Sequence, residues 1–152
     1  MRRPRRRPTA SDLIDTSALA RILRGDAEQY GWDQVAAAGL IATCPITEPE
    51  FFSSVRSAAD RTQGIGDLRL LFSWVPVDDR AYDSDWRVQE ILTQRGQHRS
   101  AGAVDLVVAA TAELQGLPLL HRDRDFECVA AVTGQALQWY GPEEARATHV
   151  QL

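Results

Sequence analysis

The chain has 152 residues, 44% of them hydrophobic, and a formal net charge of −4; one domain of this length buries about two-thirds of its unfolded surface without help from disulfides or a structural metal. Its two cysteines, Cys44 and Cys128, form no C-x-x-C pair, which argues against a zinc ribbon or a secreted disulfide scaffold, and all 17 basic residues are arginine. The absence of lysine excludes Walker-type phosphate loops, Schiff-base chemistry and response-regulator phosphoacceptor sites; the absence of a long apolar run excludes a bilayer span or secretory leader and makes a cytoplasmic protein the expectation.

In chain order, Met1–Pro8 holds five arginines and two prolines, and this composition predicts a disordered basic tail over residues 1–10. Removing those five arginines from the net charge leaves −9 for the remainder. Such a body binds polyanions poorly unless a divalent cation reverses the local sign. Residues 11–152 show no repeat, low-complexity linker or internal boundary and read as a single domain. Ser11–Ile14 is a short apolar strand, followed by Asp15-Thr16-Ser17 and helical spacing over Ala18–Leu23. A second helix is expected over Asp26–Ala38, closed by Gly39, and then a buried strand over Leu40–Thr43. The spacing of Phe51, Phe52, Val55 and Ala59 predicts a helix over Thr47–Ala59 with one apolar face. Gly64 and Gly66 mark a turn before a helix over Asp67–Trp74 and a short strand over Val75–Val77. Helices over Asp79–Gln94 and Val104–Gln115, a strand over Pro118–Leu120, a helix over Phe126–Val132 and a strand over Ala136–Trp139 complete the pattern. Short apolar strands alternating with helices specify an α/β fold, a three-layer α/β/α sandwich with a parallel central sheet. Such sheets present ligands at the carboxyl ends of their strands.

Acidic residues fall at those ends. Asp15 follows the first strand, Glu48 and Glu50 the second, Asp105 opens a later helix, and Asp123 and Asp125 follow the strand Pro118–Leu120. Carboxylates gathered this way repel one another unless a hard cation lies between them, and an all-oxygen set suits Mg²⁺ or Mn²⁺ better than zinc. Each also has a structural reading. Asp15 fits an Asx turn; Thr47 with Glu50 fits a capping box; Asp105 fits the first turn of its helix; Asp123-Arg124-Asp125 fits a solvated turn before a helix.

The segments LIDTSAL (Leu13–Leu19), CPITEPEFF (Cys44–Phe52), VDLVVAATA (Val104–Ala112) and LLHRDRDFECVA (Leu119–Ala130) resemble the four acidic motifs of PIN-domain ribonucleases, and more narrowly those of VapC toxins of type II toxin–antitoxin (VapBC) systems. The resemblance runs from Leu13 to about Trp139. It implies a PIN-like sheet with acids at its C-terminal edge, and a metal-dependent ribonuclease hydrolysing RNA phosphodiester bonds. Asp15, Glu50, Asp105 and Asp123 are then the catalytic set, with Asp15, Asp105, Asp123 and Asp125 as metal residues. The family spacing T-x-x-E selects Glu50, while Glu48 stays open as an uncommon neighbouring carboxylate. Thr16, Ser17 and Arg99 are the implied substrate contacts, although the stretch His98-Arg99-Ser100 reads first as a helix N-cap and second as an RNA contact. Arg122 and Arg124 stand as phosphate contacts or solvated charges. His121, inside the fourth motif, is a general-base candidate that metal-activated water makes unnecessary. The resemblance further implies Mg²⁺ (Mn²⁺ as substitute), a VapB-type antitoxin that sets an arginine against the carboxylates, and homodimerisation, for which the apolar face of Thr47–Ala59 is a candidate surface although Phe51 and Phe52 read first as core. Two other readings remain: a catalytically silent PIN-like domain that binds antitoxin or RNA without cleaving, and a haloacid-dehalogenase-type phosphatase, weakened by Ser17 in place of a second aspartate and by the missing lysine.

Overall fold

A computed structural model describes residues 9–142; the basic tail expected over residues 1–10 therefore lies, through Pro8, outside the described residues. Five short parallel strands, β1 (Asp12–Ile14), β2 (Ile41–Thr43), β3 (Ser73–Trp74), β4 (Leu119–His121) and β5 (Leu137–Trp139), form one sheet in the order β3-β2-β1-β4-β5. The three-layer parallel architecture expected from the sequence is present. Its cause is visible in the central strands, whose consecutive residues are apolar on both sides. Leu13, Ala42 and Leu119 enter one core cluster, whereas Ile14, Ile41 and Leu120 enter the other. The four leucines and isoleucines of β1 and β4 are 0% exposed, each contributing roughly 1.5–3 kcal/mol by burial. That margin lets β1 carry the largely buried carboxylates of Asp12 and Asp15 at its two ends.

Helices α1 (Thr16–Leu23), α2 (Asp33–Ala37), α3 (Thr47–Phe52) and α4 (Ala58–Leu71) supply the second cluster through Ala18, Leu19, Ile22, Ala36, Phe52 and Leu68. Helices α5 (Arg80–Gln94), α6 (Ala103–Leu114) and α7 (Asp125–Thr133) supply the first through Val88, Leu92, Leu106, Val108, Phe126 and Val129. The long connection from β3 to β4 carries the chain past β1 to its other flank. The helix following β1 therefore covers one face and the helix following β4 the other, which opens a crevice at the carboxyl ends of two paired strands. Among the described residues no helix is long and apolar enough to cross a membrane.

Four expected elements differ. The helix expected over Asp26–Ala38 is a 3₁₀ turn at Glu28–Tyr30 followed by the five-residue α2. Gly31 between them has φ +77°, a left-handed conformation that ends the helical path. The helix expected over Thr47–Ala59 stops at Phe52, because the Ser53 and Ser54 hydroxyls donate to the carbonyls of Glu50 and Phe51 at 2.6 and 3.0 Å. Its anticipated apolar face is thereby divided: Phe52 is buried, Phe51 half-buried and Ala59 exposed. Ser57 then caps a new helix by accepting the Asp60 N–H at 3.0 Å. That helix, α4, runs straight through Gly64 and Gly66, where a turn was expected, and ends at Leu71 rather than Trp74. The third strand is consequently Ser73–Trp74, in register with Ala42 and Thr43, instead of Val75–Val77.

Candidate active site

Asp15 leaves β1 and caps α1, its Oδ2 accepting the Ser17 N–H at 2.9 Å. The residue is 2% exposed, and its Oδ1 has no hydrogen-bond partner among the described residues. Buried carboxylate oxygens are normally paired. Burial pushes the Asp15 carboxyl above its ordinary range, opposed by the Ser17 hydrogen bonds and reinforced by the charge of Glu50.

Glu50 reaches the same place from α3. The Thr16 hydroxyl donates to its Oε2 at 2.9 Å. The expected capping box does not form: Ile46 holds the cap position, and Thr47 is buried with its hydroxyl 3.4 Å from Cys44 Sγ. Glu48 is engaged elsewhere, in a two-pronged ion pair with Arg69 at 2.5 and 3.1 Å. Asp105, in the first turn of α6, accepts the Gly102 N–H on Oδ2 at 3.0 Å, so its helix-start reading holds as well. Its carboxyl is nevertheless pushed up to about 6, first by burial and then by the charges of Asp15, Asp123 and Asp125, against the opposing Gly102 bond. One oxygen each from Asp15, Glu50 and Asp105 lies within 4.8 Å of the others. Three carboxylates this close are mutually repulsive without a cation. The all-oxygen donor set, with one buried oxygen unpaired, has the chemistry that a hard divalent cation requires.

Asp123 and Asp125 stand outside that trio. Asp123 Oδ1 accepts the Asp125 N–H at 3.0 Å in the turn opening α7, and Asp125 is exposed. Both act on Asp105 through charge. His121 is 2% exposed and wedged between the rings of Phe126 and Trp139, with centroids at 5.3 and 5.6 Å. Its Nδ1 lies 2.9 Å from the Asp123 carbonyl oxygen, so it braces the β4–α7 turn. Arg122 lays its guanidinium over the Tyr30 ring at 5.7 Å, and its Nη1 is buried; that nitrogen is not presented to a phosphate. Arg99 is exposed in the turn before α6. Ser100 does not cap that helix: its hydroxyl donates to the Gln97 carbonyl, and Gly102 holds the cap position.

A feature missed in the sequence is the second bond of Ser17, whose hydroxyl accepts the Arg122 N–H at 2.9 Å. It ties the turn after β1 to the turn after β4. A serine beside an aspartate signals a helix cap, and nothing in its spacing points to a partner 105 residues away.

Together these features define a class, an α/β fold with a parallel sheet and carboxylates from three separate segments gathered at its switch point. A family model of the PIN domain matches residues 13–132, and the chain belongs to the PIN domain family. It is 39% identical to Ribonuclease VapC21 of Mycobacterium tuberculosis over 132 residues, 86% of this chain and 94% of that one. It is 36% identical to Ribonuclease VapC2 of the same species over 128 residues, 81% and 87% of the two chains. Among solved structures, DNA-bound VapBC from Salmonella typhimurium shares the fold with a TM-score of 0.68 at 15% identity, over 86% of this chain and 98% of that one.

Proposed function

We propose that the chain is a VapC-like ribonuclease toxin, a Mg²⁺-dependent hydrolase of RNA phosphodiester bonds that works in the cytoplasm and is neutralised by a VapB-type antitoxin. The observation that supports it most directly is the buried, unpaired Oδ1 of Asp15 within a trio of carboxylate oxygens. The likeness to chains named ribonuclease VapC, and to VapBC complexes, supports the choice of RNA and antitoxin.

Asp15, Glu50 and Asp105 would hold the ion, with Asp123 and Asp125 adding negative charge at the rim. When bound, the ion lowers the pKa of a water molecule and neutralises charge on the scissile phosphate. The protein's own part is orientation. Thr16 fixes Glu50 Oε2, leaving Oε1 as the atom to take the proton of the attacking water. Ser17 fixes Asp15 Oδ2, which directs Oδ1 inward. RNA enters as an unpaired strand or loop, since a duplex would not bring its backbone to a recessed cluster. An antitoxin arginine can occupy the same carboxylates by two-pronged pairing and so silence them. Homodimerisation belongs to the same proposal, and the exposed Tyr82 and Trp86 on α5, at 52% and 74%, support it.

Thermal melting of the wild type and of Asp105→Asn, with and without millimolar Mg²⁺ or Mn²⁺, tests the centre. The expected outcome is a metal-dependent rise in Tm for the wild type, growing with metal concentration over Kd, that disappears in the variant, together with metal-dependent RNA cleavage abolished by Asp15→Asn. Absence of both the shift and the cleavage would leave a silent antitoxin- or RNA-binding domain as the better description.

A further inference from the structure

A cleft of about 480 Å³ is lined by Pro45, Glu48, Arg69, Phe72 and Trp74. Trp74 is 51% exposed. Its indole belongs to an edge strand of the sheet. Trp74 pairs in register with Thr43, the last residue of β2. It therefore stands at the carboxyl edge of the sheet, two strand spacings or about 10 Å from β1. Helix α3 stands between the cleft and the trio, for Glu48 lines the one and Glu50, on another side of the helix, belongs to the other. Arg69 and Glu48 neutralise each other, so the cleft combines an aromatic face with a fixed set of donors and acceptors and little net charge.

A strand whose phosphate lies at the trio and that crosses α3 towards β3 brings its next nucleotide to this cleft. In a body with a charge of −9 outside its N-terminal arginines, acidic residues oppose cationic contacts to the backbone. Stacking needs no cation, and every base offers a π-face. Resting on the ribonuclease reading above, we propose that the cleft is a nucleobase subsite. An unpaired base next to the scissile phosphate stacks on the indole of Trp74, and the Glu48–Arg69 pair meets its polar edge. The subsite sets which strand position is presented to the carboxylates, and so contributes affinity and placement rather than chemistry.

The test is steady-state cleavage of a short single-stranded RNA in Mn²⁺ by the wild type, Trp74→Leu and Trp74→Phe, with Tm recorded for each. Trp74→Leu is expected to raise KM roughly tenfold, the size of one lost base–aromatic stack, with kcat nearly unchanged. Trp74→Phe, which keeps an aromatic face, is expected to recover most of the affinity. An unchanged KM in Trp74→Leu overturns the subsite while leaving the nuclease intact. The same unchanged KM with weakened inhibition by the antitoxin overturns it in favour of a peptide occupant. If the wild type neither cleaves RNA nor gains Tm from metal, the nuclease reading itself falls and the subsite falls with it.

Discussion

Ser17 holds two backbones at once: its N–H is accepted by Asp15 Oδ2, and its hydroxyl accepts the Arg122 N–H. Ser17→Ala keeps the first bond and deprives a partly buried N–H of its partner in the second, a loss of about 1 kcal/mol. The expected consequence is a Tm lower by about 3 °C, read by calorimetry, with Ser17→Thr recovering most of it. Thr16 makes the analogous bond to Glu50. Both hydroxyls that the sequence suggested as substrate contacts are thus bonded to the site's own frame. Other roles at this scale were only half legible. Glu48 and Glu50 carry nearly equal signals, two acids in the first turn of one helix. What separates them is Arg69, 21 residues further on, a partner that no short-range spacing rule supplies. The candidacy of Asp15, Asp105 and Asp123 was readable because their positions depend only on where strands and helices end.

Helix α4 contains a pair of glycines with opposite roles. A β-carbon on Gly64 would stand 2.8 Å from Cε1 of Phe52, a side chain only 8% exposed, whereas one on Gly66 would meet nothing within 4 Å. Gly64→Ala is therefore expected to destabilise by about 1–3 kcal/mol through overpacking. Gly66→Ala should stabilise by about 0.5–1 kcal/mol, the ordinary helix preference for alanine; urea unfolding of the two variants measures both signs. Gly64 lets α3 and α4 approach where Phe52 packs, and Gly66 has no such reason. Sequence reading took both as punctuation because glycine looks alike in a turn and at a close contact. The same difficulty merged α3 with the residues before α4, although Ser57 and Asp60 hold the spacing of a helix cap. Period and apolar runs made β1, β2, β4, α5 and α6 legible, since buried strands, the amphipathic α5 and the largely buried α6 declare themselves locally. The two-residue β3 did not, because its place depends on Phe72 entering the core between helix and strand.

For the molecule as a whole, the metal-free carboxylate centre is a stored liability. The Asp105 carboxyl titrates at about 6, against an ordinary value of 3.8, and that of Asp15 is raised in the same direction. A group raised on folding holds its proton more tightly in the native state. Its favourable contribution is complete below about pH 4 and is lost as the pH climbs through about 6. In chelator, Asp105→Asn is therefore expected to melt above the wild type at pH 7.5. The difference should shrink to nothing towards pH 4, and millimolar Mn²⁺ should reverse it at pH 7.5; a melting series across this range checks both the sign and the window. The order β3-β2-β1-β4-β5 has a different bearing, on the chain as it is being made. Asp15 and Glu50 emerge from a ribosome early, but Asp105 and the strand that pairs with the far side of β1 follow only after most of the chain. A partly synthesised copy lacks Asp105 and β4, so the carboxylate trio is assembled only once most of the domain has been made.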